Sequence, residues 1–373
     1  AFHSVFIGHD GRPDRELVEA NDGPDSVRRV VEGGVAAAAA NGHRHIAIYA
    51  HGGLNNREAG LTRARILGPW FQANGIHPIF VIWQTGFLES AENILRSVLD
   101  ELLPAPTRVE GFLVDRLKEA KDRAFEVTAR EAGVKAIWEN MKSRAAEASA
   151  GVGAMRLVAG HIRAAFAAMG GSGGGVPDIH LVGHSAGATL LGSFLDALRT
   201  EGLKSATTHL WAPACTVSFA TATYGAAFAE GIANPKKTYV GVLSDENERS
   251  DATVPVAYSK SLLYLVSRAL EPDHKTPILG MQKAWKERRP PKNDDIFNQK
   301  LFSQLTAWDK VAAGVKLDEI VAPAVPTRSE DGRVDTIDAS HGSFDNNIEL
   351  VNQALSRVLG KKPSEPVTNL KGF

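Results

Sequence analysis

Ser185 stands in the pentapeptide Gly183-His184-Ser185-Ala186-Gly187, which fits the pattern G-x-S-x-G. A serine at the apex of so tight a strand-to-helix turn sits in a strained backbone conformation. The flanking glycines remove the Cβ atoms that would collide. Its Oγ then stands clear of the sheet, and the helix that follows offers backbone N–H groups and a positive dipole end to developing negative charge. The chemistry this arrangement suits is nucleophilic attack by a serine hydroxyl.

The elements around Ser185 are of the kind that would hold it there. Ile179 to Val182 is an apolar, β-branched run of the kind a buried parallel strand shows. Beyond the turn, Ala186, Gly187, Ala188 and Gly192 are small enough to let a helix pack close to a sheet. Leu190, Leu191, Phe194, Leu195 and Leu198 recur at helical spacing. Elsewhere apolar runs alternate with helical patterns, which predicts a mostly parallel sheet covered on both faces. The predicted strands are Ser4 to Ile7, Ile46 to Ala50, Ile79 to Trp83, Thr208 to Trp211, Thr238 to Leu243 and a last one at Val334 to Ile337. Helices are predicted at Asp25 to Ala40, Glu58 to Ala73 and Ile348 to Leu359.

Two excursions interrupt this alternation. Residues 87–169 read as almost wholly helical, broken at Pro104 and Pro106, and form a helical insertion, either added scaffold or a lid. The glycine run 170–175 is then a hinge into the nucleophile strand. Residues 256–330 read as a second, helical and irregular excursion, with KERRPPK as a solvated loop. The tail after Pro363 reads as unstructured. The expected organisation is a core of residues 1–86 and 170–373 with 87–169 inserted.

Composition narrows the function classes. The net charge of −1 supplies no basic field for nucleic acid or anionic lipid. The single cysteine, Cys215, rules out an internal disulfide or a cysteine zinc site, and its apolar setting reads as packing. No stretch has the length of a membrane span and no signal-peptide pattern opens the chain, so integral membrane association is not expected and the cytoplasm is the default compartment. H-E-x-x-H and G-x-x-x-x-G-K are absent from the sequence, and no clear G-x-G-x-x-G opens a first βαβ unit. Catalysis without cofactor or metal is the expectation. His43, His45, His77, His180, His209 and His274 lie in or beside predicted elements and read as structural or solvated.

With HGG at 51–53, GHSAG at 183–187, DATVP at 251–255 and SHGS at 340–343, the chain resembles the α/β-hydrolase-fold enzymes over nearly its whole length. The resemblance implies a triad in the chain order serine, acid, histidine. Ser185 would be the nucleophile. His341, between a predicted strand and a predicted helix, would be the base that a weakly nucleophilic hydroxyl requires. The acid would follow the strand Thr238 to Leu243. Asp251, separated by two residues from Val254-Pro255, is preferred over Asp245 at the strand end. The resemblance places the oxyanion hole at the backbone N–H of Ala186 with that of Gly53 or Leu54, HGG being shorter here than the HGGG of one esterase class.

The implied activity is cleavage of small-molecule carboxylic esters through an acyl-enzyme. A thioesterase, amidase, peptidase or acyltransferase would use the same triad. A binding protein that keeps the fold without turnover is the alternative from another class. Oligomeric state is not legible.

Overall fold

The computed structural model describes residues 3–14, 23–53, 56–84, 113–170, 175–252, 258–286 and 296–372. Among these residues seven strands form one sheet: β1 (Ser4–Ile7), β2 (His45–Ala50), β3 (Ile76–Trp83), β4 (Asp178–His184), β5 (Ser205–Trp211), β6 (Thr238–Leu243) and β7 (Lys316–Ile320). Their order is β1-β3-β2-β4-β5-β6-β7, and every neighbouring pair is parallel. Strands buried on both faces need apolar side chains throughout. All eight residues of β3 are accordingly buried, as are the last five of β2 and the last six of β4. The protein is therefore of the α/β class.

Strand order fixes where a site can form. The chain leaves β2 through helix α3 (Arg57–Ala73) towards β3, and leaves β4 through helix α7 (Gly187–Thr200) towards β5 on the other side. By the right-handed crossover rule those helices cover opposite faces. The outgoing turns of β2 and β4 thus diverge at the carboxyl ends of the two strands, the switch point at which open α/β sheets place their sites. Ala50 and Gly183 are register partners, so His51 and Ser185 both follow this switch point.

Ahead of these lie helices α1 (Gly23–Arg28) and α2 (Gly34–Ala40), joined by one π-helical turn. Among the described residues, three helices precede β4: α4 (Leu113–Glu131), α5 (Val134–Ser149) and α6 (Ala154–Met169). Helices α5 and α6 bury Trp138, Met141, Met155, Val158 and Ile162 in the common core and pack against α7. The described part of this stretch therefore forms a layer beside α7; residues 87–112, with Pro104 and Pro106, and most of the glycine run lie outside the described residues.

Helix α4 is tied to the second excursion by buried charge. Asp122 receives Lys260 Nζ at 2.8 Å, and Glu126 receives Tyr258 Oη at 2.9 Å and faces Arg268 at 3.3 Å. Trp138 Nε1 and Lys142 Nζ of α5 both donate to Glu271. Each excursion supplies the counter-charges that let the other bury its ionised groups.

Three expectations need correction. The last strand of the sheet is β7, inside the stretch read as helical and irregular. Its residues, Lys316 to Ile320, are mostly half-buried, because it is an edge strand, and its charged pattern hid it. The run Val334 to Ile337 belongs instead to an antiparallel hairpin of β8 (Ala324–Glu330) and β9 (Arg333–Asp338), separate from the main sheet. The tail after Pro363 is docked: Ser329 N–H donates to Thr368, Leu370 N–H donates to Thr327, and Val367 and Leu370 are buried. The loop after β6 is itself helical, α8 (Asp245–Ser250), capped by Ser244. The remaining long helices are α9 (Phe302–Val311) and α10 (Ile348–Leu359). Among the described residues no helix is long and apolar enough to cross a membrane.

Candidate active site

Ser185 has φ 54°, in the left-handed region that side chains with a Cβ avoid. Neighbouring backbone holds it there. Its N–H donates to Trp211 C=O at 2.8 Å, and its C=O accepts from Ala214 N–H at 3.0 Å and Ala188 N–H at 3.1 Å. A Cβ at Gly187 would lie 2.2 Å from Ala50 O, and one at Gly183 would lie 2.8 Å from Leu191 Cδ1. Gly187 is therefore required by close approach to the end of β2, while a side chain at Gly183 would have to displace Leu191 of α7.

The structure brings His341 to this serine, with Nε2 2.8 Å from Ser185 Oγ. Both side chains are buried. Burial pushes the His341 imidazole down to about 3, the neighbouring His184 pushes in the same direction, and Asp345 opposes them. At neutral pH the ring is uncharged and can accept the serine proton.

The loop carrying His341 is gripped on both sides of that residue. Its backbone N–H donates to Asp251 Oδ2 at 2.6 Å. Its carbonyl accepts from His184 Nε2 at 2.9 Å, which requires His184 to carry a proton on that nitrogen. Ser343 Oγ closes the loop by accepting from Ser340 N–H and donating to Ser340 C=O.

Of the two candidate acids, only Asp251 reaches His341, and it reaches the backbone. The ring nitrogen Nδ1 makes no hydrogen bond among the described residues. Burial raises the Asp251 pKa, while the His341 N–H lowers it. Asp245 points elsewhere, receiving Tyr264 Oη at 2.5 Å and Arg249 Nε at 2.8 Å.

A further carboxylate, Asp345, was not legible in the sequence. It lies one turn beyond His341 and is completely buried. Its Oδ2 accepts from Tyr49 Oη of β2 at 2.7 Å. Arg63 Nε of α3 stands 3.1 Å away and His184 Nδ1 3.4 Å away. Burial alone would raise its pKa, but Arg63, His184 and the Tyr49 hydroxyl together outweigh burial and hold it well below the usual carboxylate range. Asp345 thus anchors His184, which in turn holds the His341 carbonyl. No spacing rule reveals it, because its partners come from three separate elements.

Replacing Asp345 with alanine is expected to destabilise the protein by about 3–5 kcal/mol, since it strips a buried cation of its counter-charge. The urea midpoint of Asp345→Ala against the unsubstituted chain measures this. A loss below about 1 kcal/mol would show that the cluster does not hold the loop.

His51 explains the HGG turn. The completely buried ring donates from Nδ1 to Gly52 C=O at 2.8 Å and accepts at Nε2 from Trp83 N–H at 3.3 Å. Trp83 Nε1 donates back to His51 C=O at 3.0 Å. The ring thereby pins the exit of β2 to the exit of β3. Burial pushes its pKa down to about 4. Ala186 occupies the N-cap position of α7, directly after Ser185, and Gly53 is in the turn beyond β2; Leu54 lies outside the described residues. Cys215 is buried, and burial pushes its thiol up to about 12, in keeping with a packing role.

No family model, curated protein or solved structure matches this chain. The geometry of its own residues is what a functional reading has to rest on.

Proposed function

We propose that this chain is a serine hydrolase of the α/β-hydrolase type that cleaves carboxylic esters through an acyl-enzyme, without a cofactor. The observation that carries the reading is the 2.8 Å approach of His341 Nε2 to Ser185 Oγ on a serine held at positive φ. Strain of that kind at a hydrogen-bonded nucleophile–base pair serves chemistry better than it serves stability.

In this reading Ser185 Oγ attacks the acyl carbon while His341 Nε2 takes its proton. The carbonyl oxygen gathers negative charge against the N–H of Ala186 and that of Gly53 or Leu54. The tetrahedral adduct expels the alcohol, which takes the proton back from His341. Water then adds to the acyl-enzyme by the same route, and the acid leaves. Asp251, already seated on the His341 backbone, is the carboxylate assigned to the ring, where it would hold the tautomer and steady the imidazolium.

Asp251→Asn is expected to lower kcat roughly 10²-fold or more, with Asp245→Asn within a few-fold of the unsubstituted enzyme. The reverse ranking would move the acid role to Asp245. Steady-state kinetics on matched p-nitrophenyl ester and anilide substrates tests the reaction class: turnover of the ester alone supports an esterase, and faster turnover of the anilide would favour an amidase. That Nδ1 of His341 has no hydrogen-bond partner among the described residues supports one second reading, a binding protein whose site is unarmed; that reading requires no turnover of either substrate.

A further inference from the structure

The opposite end of the sheet carries polar residues where a buried parallel sheet should be apolar. His45 opens β2 and pairs in register with Asp178, the first residue of β4. Register partners project from the same face, and so do residues two apart on one strand. His45, Asp178 and His180 therefore share one face. His45 Nδ1 lies 3.1 Å from His180 Nε2, and one ligand atom from each of the three residues lies within 4.8 Å of the others.

We propose that His45, Asp178 and His180 form a binding site for a zinc-like divalent transition-metal ion. Zinc binds histidine nitrogen at about 2.0–2.1 Å in tetrahedral geometry, which separates two such nitrogens by about 3.3 Å. The observed 3.1 Å needs only a slight opening. Two imidazoles and one carboxylate suit a borderline-soft ion, and the fourth position would take water. Magnesium, which demands an octahedral oxygen set, is disfavoured.

What separates this cluster from a chance pair of histidines is its support. His180 is buried, and its other nitrogen, Nδ1, lies 2.8 Å from Thr207 Oγ1. Thr207 is the register partner of His180 on β5, and its hydroxyl is 3.2 Å from His209 Nε2. With Nδ1–H donating to Thr207 and the Thr207 hydroxyl donating to His209, the free lone pair of His180 is aimed outwards at His45. Second partners of this type fix the tautomer and ring plane of metal-binding histidines. Asp178 is exposed and His45 half-buried, so the cluster is open to solvent. The positive charges of Lys361 and Lys237 bear on the two histidines and temper affinity for a cation. His180 precedes Ser185 by five residues along β4, roughly 16 Å, so the site is separate from the serine.

The test is calorimetric titration of the EDTA-treated full chain with zinc chloride, with cobalt absorption as a second readout. One equivalent is expected to bind, with a rise in Tm and a tetrahedral cobalt spectrum, and magnesium chloride is expected to give no saturable heat. His45→Ala and Asp178→Asn, both at accessible positions, should each weaken zinc binding at least tenfold, and His274→Ala should leave it unchanged. Absence of saturable binding, or binding equal in all three variants, overturns the proposal. Neither readout depends on ester turnover.

Discussion

Ser185→Ala is expected to abolish ester turnover, with kcat reduced by at least about 10³-fold while the fold is kept. The fold survives because what holds the turn is backbone: Trp211, Ala188 and Ala214 bond to the main chain of residue 185 and do not use Oγ. Ser185→Gly separates chemistry from conformation. It loses turnover equally, yet it relieves the φ of 54° and should gain about 1 kcal/mol of stability over Ser185→Ala. Kinetics and thermal melts of the two variants side by side check both parts. An alanine variant retaining more than a tenth of the turnover would remove Ser185 from the chemistry. A glycine variant less stable than alanine would show that the elbow is not strained.

Acid is expected to unfold the protein well above the pH where carboxylates titrate. Burial pushes His341, His180 and His209 down to about 3 and His51 and His77 down to about 4. Each is neutral in the folded chain and binds a proton near pH 6.5 once unfolded. Between those values the unfolded state holds more protons, so stability falls as pH falls. By pH 5 each histidine withdraws about 2 kcal/mol relative to pH 7. Glu248, raised to about 8 by burial, works in the opposite direction, being protonated in the folded chain before it would be in the unfolded one. Burial raises Asp251 as well. The histidines outnumber these acids, and the net loss of several kcal/mol approaches the whole stability of an ordinary domain. Urea midpoints at pH 7 and pH 5, in EDTA, measure it; an equal or higher midpoint at pH 5 would contradict the burial of neutral histidines.

Where one residue's local pattern carried the information, the sequence was readable. The strands Ser4–Ile7 and Thr238–Leu243 coincide with the expectation to the residue, because apolar and β-branched residues dominate each run. The elbow was readable too, since glycine, serine and glycine mark a turn that few other residues could form. Strand β7 was not, because an edge strand half-exposed to water carries charged side chains like a loop. The docked tail was hidden for a related reason: its hydrogen bonds run to the unexpected strand β8 and to the side chains of Asn74 and Asn352, none of which the tail's own pattern reveals. Asp345 shows the deeper limit. A buried carboxylate reads as a surface charge until Tyr49, Arg63 and His184 are seen to converge on it. The DATVP motif points to Asp251 as an acid for the ring, whereas the hydrogen bond its carboxylate makes to His341 is to the backbone N–H, a partner no motif encodes.

The most direct test of the central claim is to treat the folded protein with a fluorophosphonate and locate the adduct by mass spectrometry. A single adduct on Ser185, lost in His341→Ala and lost on unfolding, is the expected result, because only a serine armed by its neighbouring imidazole reacts with such reagents. An unmodified Ser185 in folded protein, or labelling that persists without His341, would contradict the account.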